Sequence, residues 1–375
     1  MALHPSKTAM LGVNTTAFLD LLRALAANFV LFGHTADIFG IDSKIPAGQI
    51  GVGVFFLLSG FLIFQSSYAR IQRPAPYFAP YIIDRFARIF TAYVPILILV
   101  AAVNTMVDLG HWGQEGTSTG PMAFAGNLLL LQDYPVFQAM HRVIGDALYI
   151  RSYNSAEPFW TIPIEFWIYV VFGLGFFGMV ARERIRSLLP IVLGLVALPV
   201  VIWNAAAGGG NGLSLVWLVG ALAGYIWVGS WHRSAHKVQI GCIVGVAAIV
   251  CFLGRGLKIG WNAQDLGMIL CEALIILSVI SVTDGLRAFP RAWRGVCTFL
   301  ASYSYSLYLA HNTVLVIFRK FLSGQLGAAT PILAMVTAHV VAFILYRLFE
   351  RHYRQVGQLL KRRAADSSTL DRAIP

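Results

Sequence analysis

Leu19-Asp-Leu-Leu-Arg23-Ala-Leu-Ala-Ala-Asn-Phe-Val-Leu-Phe-Gly-His34 is apolar enough to cross a bilayer, yet it carries an arginine and a histidine. Arg23 and His34 are eleven residues apart. At about 100° per residue this closes three turns plus roughly 20°, so on a helix both project from one face, separated by about 16 Å along the axis. A charge at the centre of a bilayer costs on the order of 3 kcal/mol on insertion scales, so chains rarely keep one there without a use for it. The stretch therefore reads as a membrane helix bearing a functional pair.

The rest of the chain agrees. Of its 375 residues, 58% are hydrophobic and 12% charged, against about half and a quarter in soluble domains. The expected fold is all-α: one polytopic bundle over residues 1–355 with a basic, polar tail at 356–375. Ten spans are drawn at 16–38, 50–68, 87–106, 158–180, 188–206, 212–230, 239–254, 265–284, 297–318 and 330–350. Of the 28 lysines and arginines, Arg23 lies deep within a span, and Arg88 and Arg347, at the inner ends of theirs, count with the inner segments. With the N-terminus inside, 20 of the others fall in inner segments and 7 in outer ones. The positive-inside rule thus predicts both termini in the cytoplasm. The net charge of +11 then reflects topology and lipid headgroups, and a nucleic-acid partner is not expected.

No cleavable signal is expected, because the start is nearly uncharged and the first apolar run is of span length. Cys242, Cys251, Cys271 and Cys297 lack Cys-x-x-Cys spacing and read as small buried hydrophobes. The long outer loop, 107–157, contains Asn127-Leu-Leu-Leu-Leu-Gln132, too short to span and expected to lie along the interface or re-enter against the bundle. Such a loop suits a cover over an acceptor. Gly208-Gly-Gly-Asn-Gly212 lacks the Lys-Ser/Thr of a phosphate loop and reads as a turn. The tail reads as an inner-surface helix that frays. No internal repeat is visible, which weighs against a transporter.

On this topology His34, Glu165 and His311 fall in the outer third to half of the membrane, within about 5 Å in depth. Glu272 has similar depth, and Asp37 is one turn from His34. A histidine and a carboxylate at matching depth are what general-base chemistry requires. Arg23 lies in the inner half, on the side of Arg85 and Arg88, which are expected at the entrance to the third span with Asp84 as a local ion-pair partner. Guanidinium forks suit phosphates, so these three point to a phosphate-rich cytosolic ligand, against ordinary snorkelling of Arg85 and Arg88. His339 reads as a packing residue. His232 and His236 are four apart but lack a third ligand, so no metal site is expected.

These residues resemble the acyltransferase-3 family of integral membrane O-acyltransferases across essentially the whole chain. The matching pieces are Leu19-Asp-Leu-Leu-Arg23 running to His34, Gly51-Val-Gly-Val-Phe-Phe-Leu-Leu-Ser-Gly-Phe-Leu-Ile63, Arg85-Phe-Ala-Arg88, Phe159-Trp-Thr-Ile-Pro-Ile-Glu-Phe166, and Ser302-Tyr-Ser-Tyr-Ser-Leu-Tyr-Leu-Ala-His311. Similar proteins move acyl groups, commonly acetyl, from cytosolic acyl-CoA onto sugars of surface glycans. The resemblance implies His34 as catalytic base or acyl relay, with Arg23 its partner along the donor path. It implies Arg85 and Arg88 as binders of CoA phosphates and Glu165 for acceptor activation; Trp160 and His311 are expected to contact substrate. Where the family usually shows Ser-Leu-Ser-Val-Glu-Glu, this chain has Thr161-Ile-Pro-Ile-Glu-Phe166, one acid in place of two, with Pro163 expected to bend the helix. Some relatives carry an esterase-like domain after the bundle, and this chain is expected to lack one.

The expected function is acyl transfer at a bacterial inner membrane, with acyl-CoA as donor substrate, no permanently bound cofactor, and a glycan or lipid-linked saccharide as acceptor. The competing reading is a transporter or flippase of a lipid-linked sugar, and a third is a polytopic scaffold or sensor. A flippase would move substrate without a donor and tolerate loss of the imidazole.

Overall fold

A computed structural model describes residues 11–107, 109, 117–144, 149–183, 188–207, 212–229, 231–261 and 265–373. In chain order its helices are α1 (Val13–Phe39), α2 (Ala47–Arg70), α3 (Phe78–Met106), α4 (Gly120–Leu128), α5 (Pro135–Ile144), α6 (Thr161–Gly175), α7 (Leu188–Ala207), α8 (Leu213–Gly229), α9 (Lys237–Ile259), α10 (Leu266–Gly285), α11 (Arg291–Ser302), α12 (Ser304–Phe321), α13 (Ser323–Leu326), α14 (Thr330–Leu348) and α15 (Tyr353–Ala373). The strands among the described residues, β1 (Thr117–Ser118) and β2 (Ser152–Tyr153), form a two-residue parallel ladder. Among the described residues, eight helical stretches are long and apolar enough to cross a membrane, and α8 is a shorter apolar helix. The protein is an all-α, multi-pass membrane protein. The Gly208–Gly212 turn lies, except for Gly212, outside the described residues.

The chain divides into two compact units. One comprises the chain up to Arg73 together with Asn204–Ser304; the other comprises Pro74–Trp203 and the chain from Tyr305 onward.

In the first unit α1, α2, α8, α9, α10 and α11 pack at close range. A Cβ on Gly33 would strike the backbone of Gly48, and one on Gly60 or Gly220 would run into the carbonyls of Trp217 or Leu57. Lipid chains are as apolar as leucine, so helices in a bilayer gain by approaching closely enough for dense van der Waals contact, and small residues allow it. Polar contacts in this unit gather towards helix ends. Lys237 Nζ pairs with Asp284 at 2.6 Å, Arg255 grips Asp265 through Nε and Nη2 at 2.8 and 2.7 Å, and Asn14 binds the backbone of Leu286, Arg287 and Phe289.

The second unit is built around α3 and α6 and is held by side-chain hydrogen bonds. Tyr93 Oη donates to the Asn127 carbonyl at 2.8 Å, Gln132 donates to the Phe159 carbonyl, and Trp167 Nε1 donates to the Leu130 carbonyl. Asn127, Leu130 and Gln132 are buried. The apolar piece of the long loop therefore packs back against its own unit, as one of the two expectations had it.

Three local expectations are corrected. The third span begins at Phe78, not 87, because the Glu183 carboxylate accepts from the backbone N–H groups of Tyr77 and Phe78 and satisfies the first turn. Arg85 and Arg88 are therefore inside the helix instead of at its mouth. The span drawn at 297–318 is broken at Tyr303 into α11 and α12. Cys271 and Cys297 are buried, but Cys242 and Cys251 are exposed on α9, among outward Ile243, Val246 and Val250, the pattern of a lipid-facing surface on which apolar residues need no core. The tail is helical to Ala373 and docks on α3, where Lys361 pairs with Asp84 at 2.5 Å and Gly357 meets Ala87.

Candidate active site

In the first unit, α1 runs unbroken from Val13 to Phe39, so the eleven-residue spacing places Arg23 and His34 on one face as expected. Ala27 and Val30, on the same face between them, are buried. Gly51 of α2 lies against the Ala26 carbonyl and Val30, and Gly33 lies against Gly48, so α2 covers this stretch of α1. His34 is half-buried, six residues before Gly40, whose left-handed backbone (φ 66°) closes the helix. Arg23 Nη1 lies 3.4 Å from Asp20 Oδ1, and Asp20 Oδ2 accepts from Thr298 Oγ1 at 3.0 Å. Asp20 was not anticipated, although an acid three residues before an arginine on a helix is the spacing that brings them together. Glu272 of α10 is half-buried beside Gly53 of α2.

In the second unit, α3, α6 and α12 bring the other candidates together. Pro163 falls in the first turn of α6, after the short 3-10 turn Glu157–Trp160, where an absent N–H is harmless. One turn on, Glu165 Oε1 accepts from the Tyr169 hydroxyl. The Arg85 guanidinium lies over the rings of Tyr81 and Tyr169, 5.8 and 6.0 Å from their centroids, and Tyr81 Oη donates to the Tyr169 carbonyl at 3.1 Å. Glu165 and Arg85 are thus linked through Tyr169.

Arg88, one turn from Arg85, has different neighbours. Its Nη1 lies 2.8 Å from Oε1 of Glu350, a residue 1% exposed. Oε2 of Glu350 accepts from both the backbone N–H and the hydroxyl of Ser306, at 3.0 and 2.7 Å. The rings of Tyr305 and Tyr353 lie 5.4 and 5.0 Å from the Arg88 guanidinium. Asp84, expected beside these arginines as their partner, turns to Lys361.

Trp160 is half-buried at the end of the turn that leads into α6, next to Thr161, whose hydroxyl meets Tyr308 Oη at 2.6 Å. His311 is fully buried on α12, its Nδ1 at 3.0 and 2.9 Å from the carbonyls of Leu307 and Tyr308. Beside it, Asn312 donates to the Ser155 carbonyl at 2.8 Å.

Sequence reasoning missed Glu350, Tyr81, Tyr169, Tyr305 and Tyr353. A signal existed for each of the first three: Glu350 is an acid at the edge of an apolar span, and Tyr81–Arg85 and Glu165–Tyr169 are both four apart. Among the described residues no group of three or more histidines, cysteines or acids is placed to hold a metal.

A family model for the acyltransferase domain matches residues 16–347. The chain is 28% identical over 340 residues to the exopolysaccharide production protein ExoZ of Rhizobium meliloti (strain 1021), covering 87% of this chain and 95% of that protein. No solved structure matches. With nearly the whole described bundle inside the matched region, the chain belongs to the acyltransferase-3 family of membrane acyltransferases.

Proposed function

We propose that the protein transfers a short acyl group, acetyl in the simplest case, from cytosolic acyl-CoA to a sugar hydroxyl of an exported glycan at the bacterial inner membrane. Both termini lie in the cytoplasm on this reading, and ten segments span. Membership of an acyltransferase family supports the reaction class, and the likeness to an exopolysaccharide production protein supports a saccharide acceptor. The observation that carries the proposal is the unbroken α1, which holds an imidazole and a guanidinium on one face.

The reaction needs a base for the attacking hydroxyl and donors for the charge that develops on the thioester carbonyl. His34 serves as base, or takes the acyl group first and relays it. The C–S bond of the thioester breaks as the C–O ester bond forms, and the hydroxyl proton ends on the CoA thiolate. Arg23, steadied by Asp20, serves the donor side. Arg85 is assigned to the donor's phosphates, with Arg88 supporting it from one turn along α3, Glu165 to the acceptor hydroxyl, and Trp160 and His311 to acceptor contacts.

Membrane vesicles containing the protein, supplied with labelled acetyl-CoA and surface glycan, should label the glycan. His34→Ala should lower this at least about a hundredfold, the scale of a lost general base, while the variant still inserts. Full activity of His34→Ala, or glycan movement without any acyl donor, would overturn the proposal.

A further inference from the structure

Arg85 and Arg88 are one helical turn apart on α3, and each guanidinium has two tyrosine rings beside it. They differ at the edge of the guanidinium plane, where the N–H groups point. The edge of Arg88 is engaged by Glu350, whose second oxygen is taken by Ser306 in the first turn of α12. Arg85 has neither a carboxylate nor a hydrogen-bond acceptor among the described residues, and its Nε is buried without a partner. A cation held against aromatic rings with its N–H groups unengaged is prepared for a bidentate anion, whereas one already paired with a buried carboxylate presents almost no net charge. Removing one partner of a buried pair strands the other, so such pairs are costly to break singly.

We infer that the two arginines divide the work: Arg85 is the ligand for a donor phosphate, and Arg88 is a positioning residue that, with Glu350, clasps α3 to the start of α12 and to the turn before α15. The inference rests on the acyl-CoA reading above for the identity of the anion, while the clasp stands without it. Tyr81 and Tyr169 orient the Arg85 plane, and through Tyr169 the same device reaches Glu165.

The experiment uses the full-length protein in detergent or vesicles, with acetyl-CoA and S-acetyl-pantetheine, which lacks the nucleotide and its phosphates, as paired donors. Arg85→Gln should raise KM for acetyl-CoA about tenfold or more, the scale of a lost charged hydrogen bond, shift KM for S-acetyl-pantetheine far less, and leave Tm near that of the parent. Arg88→Gln and Glu350→Gln should each lower Tm by several degrees, and the double variant Arg88→Gln/Glu350→Gln should recover most of that loss, because two neutral amides strand no charge. The double variant should keep the parent's preference for acetyl-CoA over S-acetyl-pantetheine. Loss of that preference in the double variant, additive loss of Tm, or an unchanged preference in Arg85→Gln would overturn the division. If the parent turns over neither donor, the acyl-CoA reading fails, and the Tm cycle still decides whether Arg88 and Glu350 form the clasp.

Discussion

Gly60 and Gly220 let α2 and α8 meet backbone to backbone in the first unit, whereas in the second Tyr93, Gln132 and Trp167 join α3 and α6 to the 120–132 segment through hydrogen bonds from side chains. The first arrangement specifies geometry by excluding side chains, and it leaves His34 on a helix whose path is set by carbonyls and glycines that have nowhere to move. The second specifies geometry by donors and acceptors, and it surrounds two arginines and a glutamate with tyrosines. Each method suits what it holds. The imidazole proposed as the base is supported by close packing, while charged groups that would be costly in lipid are supported by polar partners.

The comparison breaks most readily at the glycines. Gly220→Ala should destabilise the protein by about 3 kcal/mol, the upper part of the usual overpacking range, because the new methyl meets the Leu57 carbonyl, which is backbone and cannot rotate aside. Gly178→Ala, in the second unit, meets nothing within 4 Å and should be nearly neutral. Thermal unfolding in detergent measures both, and equal tolerance would show that close approach does not hold the first unit.

A smaller effect is expected in the second unit. Tyr93→Phe deletes the hydroxyl that donates to the Asn127 carbonyl and meets Gln132 Nε2, and it should cost about 1 kcal/mol, as buried hydrogen bonds inside membrane proteins do. Hydrogen exchange should then rise at residues 123–132 and not in α1 or α2. A global loss of stability would mean that the network does more than fasten that segment.

The smallest effect belongs to a helix end of the first unit. The Arg255 guanidinium, followed by the Met268 N–H, holds the Asp265 carboxyl below the usual carboxylate range. A depressed folded pKa means that its contribution is complete above the unfolded value of about 3.9 and is lost as pH falls through the lower folded value. Amide exchange at residues 266–269 should therefore stay slow at pH 5 and quicken only in strong acid, and Asp265→Asn should remove the pH dependence.

Much of the first unit's site was legible because it is written locally. Arg23 and His34 share a face by helical period alone, and an apolar run with two ionisable groups announces itself. The start of α3 was not legible, because its first turn is satisfied by Glu183, about a hundred residues away in the chain. The break at Tyr303 was hidden by apolar residues on both sides of it. Arg85 and Arg88 looked equivalent in the sequence, four residues spanning an Arg-x-x-Arg, and only the arrival of Glu350 from the far end of the chain tells them apart.

That separation, 262 positions between Arg88 and Glu350, also bears on biogenesis. α3 leaves the ribosome and inserts long before α14 is made, so Arg88 enters the lipid without its counter-ion, and Tyr305, Ser306, Glu350 and Tyr353 reach it only after about two hundred further residues have been made. A stretch synthesised much later completes the environment of a charge buried early. Nascent chains halted before residue 350 should accordingly expose α3 to proteases that the finished protein resists.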